Sequence, residues 1–241
     1  MTDLYEPFLY RDGDAVLHGE LYRPVIPANG RAVLVVHEAD GIGGNVRRHC
    51  QRLSRLGYVV LAADMHGNGR VLEGEEMQRA LERFRTQPDF LRQRVNAGFE
   101  ALLSIAQCDA KHSAAIGFCF GGFAVLELAR SGTPVAAVAS FHGLLTTARP
   151  AAKGEINTRI AVFTGARDPL VPAADITTFQ QEMSQAMADW QVTVYGKALH
   201  SFTNQDVDTL GDPRMAYDEA AHRMSWNALI DFLDAHLPQR R

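Results

Sequence analysis

The residues with the clearest chemical content lie in Gly117-Phe118-Cys119-Phe120-Gly121-Gly122, between the apolar run Ala114-Ala115-Ile116 and a helical pattern from Phe123 to Ala129. A strand that turns straight into a helix leaves no room for side chains beside the central residue. Small residues are therefore required at 117 and 121, and Cys119 becomes the raised residue of a nucleophile elbow. Its thiol would sit near the N-terminus of the following helix, where the dipole favours thiolate. The segment lacks the GxGxxG spacing of a dinucleotide loop.

A nucleophile needs a base and a group that orients the base, in the chain order nucleophile, acid, histidine. Both follow. Thr164-Gly165-Ala166-Arg167-Asp168-Pro169 places Asp168 in a turn after an apolar run, where a carboxylate can accept the Nδ1 proton of an imidazole. Tyr195-Gly196-Lys197-Ala198-Leu199-His200-Ser201-Phe202 puts His200 on a loop after the next run. His37 and His142 also stand at strand ends and are second candidates for the base, whereas His222 and His236 fall in a helical pattern. A third strand end, Val35-Val36-His37-Glu38-Ala39-Asp40-Gly41-Ile42-Gly43-Gly44, supplies the backbone that an oxyanion hole needs. The amides of Ala39 and Phe120 are its expected donors, and Glu38 faces the same site. His37-Glu38 lacks the second histidine of HExxH, and no Cys/His cluster has zinc spacing, so neither a metal nor a cofactor is expected.

These residues need a scaffold that delivers several strand ends to one edge. Tyr5 to Arg11 and Ala15 to Arg23, separated by Asp12-Gly13-Asp14, read as an antiparallel hairpin. Short Val-, Ile- and Ala-rich runs follow at 31–37, 58–63, 113–118, 135–141, 160–165 and 191–195. Between them helical patterns occupy 46–56, 74–107 with an interruption near Pro88, 120–130, 173–188 and 214–237. Alternation of this kind predicts an α/β fold: a mostly parallel twisted sheet of about eight strands with helices on both faces, functional residues lying past the carboxyl ends of the strands. No linker, repeat or low-complexity tract divides residues 1–241, so a single domain is expected.

Composition narrows the partner. With 241 residues, 46% hydrophobic and 22% charged, the chain is globular rather than disordered or fibrous. Lys+Arg of 24 against Asp+Glu of 28 gives a net charge of −4, with no electrostatic footprint for nucleic acid or an anionic membrane. No apolar stretch approaches the roughly 20 residues of a spanning helix. The acidic start shows no basic and apolar leader, which reads as cytoplasmic. Three cysteines, Cys50, Cys108 and Cys119, with no CxxC fit reduced thiols. The expected partner is a small molecule bound by a monomer or small homo-oligomer.

Taken together, GFCFGG, GARDPLVP, KALHSF and VVHEADGIGG resemble the dienelactone hydrolase family of the α/β-hydrolase superfamily, over nearly the whole chain. The resemblance implies the α/β-hydrolase fold and a Cys119, Asp168, His200 triad that hydrolyses small lactones or esters through an acyl-thioester. General carboxylesterase or thioesterase activity on the same triad, or ligand binding without turnover, are the alternatives. It also implies that Glu38 contacts the nucleophile, that the resting thiol is neutral, and that substrate displaces Glu38 so that it takes the thiol proton. Two arginines clamp the substrate carboxylate in the family's best-known members. Four residues after the histidine this chain has Asn204 in place of one of them, and the other is Arg79, Arg83 or Arg85. Ser201, Asn204 and Arg79 are thus the expected substrate-binding residues. Tyr5, Phe84, Phe141, Phe202 and Trp226 are aromatics within reach of a pocket, none of them assigned.

Overall fold

The chain is described by a computed structural model over residues 5–105 and 109–238. Asp12-Gly13-Asp14 closes a hairpin between β1 (Glu6–Asp12) and β2 (Ala15–Tyr22), which pair antiparallel. The apolar runs become β3 (Ala32–Val36), β4 (Val59–Ala63), β5 (Ser113–Phe118), β6 (Ala137–Phe141), β7 (Arg159–Gly165) and β8 (Asp189–Tyr195). All eight form one sheet in the order β1-β2-β4-β3-β5-β6-β7-β8, antiparallel as far as β2–β4 and parallel from there on. Because β3 and β5 are central neighbours, the loop after β3 and the turn after β5 emerge side by side.

Among the described residues six α-helices cover the sheet: α1 (Gly44–Arg55), α2 (Gly74–Thr86), α3 (Pro88–Ile105), α4 (Phe120–Arg130), α5 (Ala173–Ala186) and α6 (Glu219–His236). Strand side chains alternate between two cores, as the period of two requires. Ala32, Leu34 and Val36 join the core with Phe99 of α3, Val125 of α4 and Phe179 of α5, while Val33 and Val35 join Leu53 of α1 and Leu229 of α6 on the other face.

Every residue of α4 is buried, and its charges are paired. The Glu127 carboxylate accepts from Arg92 Nε at 2.8 Å and Arg130 Nη1 at 3.0 Å, and Arg130 also donates to Glu182 at 2.7 and 2.9 Å and to the Leu145 carbonyl at 2.7 Å. Removing one partner from such a buried set typically costs about 3–5 kcal/mol. The network therefore locks α4 between α3 and α5, with its N-terminus held under Cys119.

The expected interruption near Pro88 divides the helical stretch from residue 74 into two helices, because Pro88 pushes Gln87 out of the helical region (φ −121°, ψ 74°) and then serves as the first residue of α3. The last helix starts at Glu219, not 214. Asp218 caps it by accepting the Ala221 N–H at 2.9 Å, and residues 214–216 run beside His200 instead: His200 N–H donates to the Arg214 carbonyl and Ala216 N–H to the His200 carbonyl, both at 3.2 Å. Two 3₁₀ turns, Ala110–His112 and Val207–Leu210, were not anticipated. No helix among the described residues is long and apolar enough to cross a membrane. Cys108 lies outside the described residues.

Candidate active site

The turn from β5 into α4 is as tight as its glycines suggest. Cys119 has φ 53° and ψ −115°, a conformation L-residues seldom adopt. A Cβ on Gly117 would stand 2.0 Å from the Gly121 carbonyl oxygen, and one on Gly121 would stand 2.1 Å from the Val36 oxygen. Only hydrogen at both positions lets the helix start against β3, which raises the Cys119 thiol at the sheet's edge.

Strands β7 and β8 bring the partners. A Cβ on Gly165 would meet the Ala198 carbonyl at 2.3 Å, so its absence allows the turn after β7 to pack against the loop after β8. Arg167 N–H donates to Ala198 O at 3.1 Å across that contact. Asp168 is 3% and His200 1% exposed. Asp168 accepts the Leu170 N–H through Oδ1 at 2.8 Å and meets His200 Nδ1 through Oδ2, also at 2.8 Å. His200 Nε2 lies 3.0 Å from Cys119 Sγ. Burial alone would lower the imidazole pKa, but the sulfur and the Asp168 carboxylate outweigh it and push it up to about 10. Both ring nitrogens of His200 thus face groups able to carry negative charge.

The second histidine at the elbow is different. His142 (φ 42°) is fully buried, accepts the Cys119 N–H through Nδ1 at 3.1 Å and meets Thr203 Oγ1 through Nε2 at 2.8 Å. Burial and the neighbouring His200 push its pKa well below the ordinary value. This imidazole braces the backbone of Cys119, both ring nitrogens being engaged away from the thiol. His37, the other second candidate, is also turned away: Nε2 accepts the Met65 N–H at 3.1 Å and Nδ1 meets the Glu38 carbonyl at 2.5 Å.

That last bond bears on the oxyanion hole. The Glu38 carbonyl belongs to the peptide whose N–H is that of Ala39, and His66 Nε2 holds the Ala39 carbonyl at 2.9 Å on the other side. Two histidines with rings 4.8 Å apart thus fix the plane of the candidate donor. Phe120, in the first turn of α4, carries an amide with no acceptor inside its helix, the usual condition for anion binding there. The role of His37 and His66 escaped the sequence reading; the only signal was histidine at a strand end.

Glu38 is close enough to feel His200, yet its carboxylate is bound elsewhere: Asn204 Nδ2 donates to it at 3.1 and 3.4 Å. The Asn204 amide is itself oriented, since its oxygen accepts the Asp206 N–H at 3.0 Å and Arg48 Nη2 at 3.4 Å. Burial and the nearby Asp40 raise the Glu38 pKa to about 7. A neutral amide stabilises the carboxylate less than a cation would. The contact between Glu38 and the thiol that the family resemblance implies is absent from the hydrogen bonds of the described residues; the sulfur's partner is His200.

A cavity of about 340 Å³ opens on Cys119 and His200. Its walls are Ala39, Leu81, Phe120, Phe123, Leu144 and Leu170, with Gln78, Glu82 and Arg85 from α2. None of the three expected substrate-binding residues is among them. Arg79 is not part of this wall: it pairs with Glu75 at 3.1 Å in an adjoining surface depression that Gln78 and Glu82 also line. Ser201 (φ 55°) closes a turn, its carbonyl accepting the Asn204 N–H at 2.9 Å, and Asn204 serves Glu38. The five unassigned aromatics are likewise elsewhere; Phe120 and Phe123 do the lining. Cys50 is buried in the core between α1 and the sheet. Among the described residues no group of His, Cys, Asp and Glu is arranged to hold a metal ion.

The profile of the dienelactone hydrolase family matches residues 17–237. The chain belongs to the dienelactone hydrolase family. A solved structure, m3DLH, is 35% identical, with a TM-score of 0.91 over 97% of this chain and 98% of that one. A dienelactone hydrolase-like promiscuous phosphotriesterase, P91, from metagenomic libraries is 33% identical, with the same TM-score and coverage. A probable 2-oxo-3-(5-oxofuran-2-ylidene)propanoate lactonase of Bradyrhizobium sp. is 26% identical over 92% of this chain and 90% of its own. Dienelactone hydrolases act on small molecules, and this chain is a hydrolase of that family.

Proposed function

We propose that the protein hydrolyses small esters or lactones by nucleophilic catalysis at Cys119, with His200 as acid and base and Asp168 as its orienting group. The observation that carries this reading is the unbroken chain from Sγ to Nε2 at 3.0 Å and from Nδ1 to Oδ2 at 2.8 Å, at a strained elbow that faces a cavity. The 3.0 Å contact between Sγ and Nε2 supports transfer of the thiol proton to His200, which gives a thiolate–imidazolium pair. The thiolate adds to the carbonyl carbon, and the developing oxyanion is received by the amides of Ala39 and Phe120. The C–O bond to the leaving group then breaks as His200 Nε2 gives that oxygen its proton, leaving an acyl-thioester. Water attacks the thioester while passing a proton back to Nε2, the C–S bond breaks, and the carboxylic acid departs. Glu38, tied to Asn204 and titrating near neutrality, sets the local charge beside the imidazolium.

Similarity to P91 favours a second reading in which the same thiolate attacks phosphorus in an uncharged phosphotriester. One panel of neutral esters, enol-lactones and phosphotriesters tests both, assayed with wild type and Cys119→Ala. Turnover of one class by wild type and its loss in the variant is the expected result. Full activity in Cys119→Ala overturns the nucleophile. Iodoacetamide labelling then reports the resting state: a preformed pair labels rapidly at pH 6 without ligand, whereas a thiol awaiting substrate labels slowly.

A further inference from the structure

We infer that Glu82 is a specificity-determining residue that makes the cavity select uncharged acyl groups, by occupying the one α2 arginine that faces it. This rests on the hydrolase reading above and adds the substrate's charge to it.

Helix α2 carries three arginines, and their environments differ. Arg79 pairs with Glu75 at 3.1 Å and the Arg83 guanidinium lies over the Phe90 ring at 3.8 Å, both off the cavity. Arg85 lines the cavity, and so does Glu82, one turn earlier on the same face. The two are joined: Arg85 Nε and Nη2 reach a single oxygen, Glu82 Oε2, at 3.1 and 2.9 Å. Side chains here are 62% and 56% exposed, so the bond itself is weak. Its consequence is charge cancellation. A carboxylate entering the cavity would have to take Arg85 from a tethered competitor and would meet the Glu82 charge at close range.

Nothing else in the wall offsets that. The remaining lining is apolar apart from Gln78 and the reacting pair Cys119 and His200, whose charges cancel. The Glu38 carboxyl, near His200, is a further acid close to the reacting atoms. A neutral, apolar acyl chain meets Leu81, Phe123, Leu144 and Leu170 with no such opposition.

The test compares two esters that differ only in charge, mono-4-nitrophenyl adipate and its methyl ester, and reads the ratio of their kcat/KM values. Wild type should prefer the methyl-capped ester. In Glu82→Gln, Arg85 is released and the ratio should move toward the free acid by about tenfold, the size of one unscreened charge at contact distance in a half-exposed site. Added salt should shrink that shift, and Glu82→Gln/Arg85→Gln should cancel it, which a packing effect of residue 82 would not do. A wild-type preference for the free acid, or an unchanged ratio in Glu82→Gln, overturns the inference while leaving the nucleophile intact. If neither ester is hydrolysed, the hydrolase reading fails instead, and calorimetry decides the charge preference: tighter binding of hexanamide than hexanoate, narrowed in Glu82→Gln, supports it, and equal binding overturns it.

Discussion

Two histidines at the elbow have ring centroids 5.4 Å apart, and both are buried. Depth alone would make both neutral. His142 follows that rule because its neighbours are the Cys119 N–H and a hydroxyl, which ask for one acceptor and one neutral partner. His200 departs from it because its neighbours are a carboxylate and a sulfur, each able to carry negative charge. The chemistry of a buried histidine is thus decided by what its two nitrogens face. One holds the backbone of Cys119 in place; the other faces its sulfur, where in the proposed function it exchanges protons with it.

The largest test of that division is His200→Ala, expected to lower kcat/KM about 10⁴-fold or more, against less than about 100-fold for His142→Ala, which leaves the proton carrier in place. Reversal of the two would exchange their roles. Asp168→Asn sharpens the point, since an amide can stabilise the wrong tautomer: a loss of about 10³–10⁴ in kcat is expected with the fold intact, checked by circular dichroism.

Stability against pH separates the pair further. His142 has a folded pKa below its unfolded value, so the unfolded chain takes up a proton that the fold refuses, and stability falls as pH drops below about 6.5. His200 has a raised folded pKa; its contribution is complete below about 6.5 and fades as pH rises through about 10. Removing His142 as His142→Ala should cost about 2–3 kcal/mol at pH 7.5 by urea denaturation, through an emptied space and a stranded Thr203 hydroxyl, and should flatten the decline between pH 6.5 and 5. A decline as steep as in wild type would assign the acid sensitivity to His37, His49 and His222, whose pKa values burial also lowers.

The smallest expected effect concerns Glu38, the carboxyl counterpart of His142. Its raised pKa, about 7, means the fold prefers it protonated, so stability is lost as pH rises from the ordinary carboxylate range through 7. Glu38→Gln should therefore gain about 1 kcal/mol at pH 8 and nothing at pH 4, while Asn204 keeps an oxygen to bond. Loss of stability at pH 8 would mean that the Asn204 contact outweighs desolvation.

Much of this site was legible along the chain because its constraints are local. Gly117 and Gly121 flank Cys119 within a single turn, and only that spacing lets a strand enter a helix with the nucleophile raised. Asp168 and His200 each follow a strand in the order this architecture uses. Most strand positions were equally plain, since a strand of a parallel sheet covered on both faces is a short continuous run of Val, Ile, Leu and Ala. Element ends were less so: the start of α6 at Glu219 depends on residues 214–216 being drawn beside His200, which no local preference announces.

The sequence by itself determined the residue types of the proposed triad, the elbow's backbone and the family, since each rests on chemistry written within a few consecutive positions or on their order. Tertiary structure alone decided which partner each group meets. Glu38 faces Asn204 rather than the thiol, His37 and His66 grip the peptide of Ala39, and of three arginines on α2 only Arg85 turns to the cavity, already held by Glu82. The physical reason is that hydrogen bonds and charge interactions act over a few ångströms in space: Asn204 and Glu38 are 166 positions apart in the chain, and only the folded sheet, by bringing the ends of β3 and β8 to one edge, sets that distance.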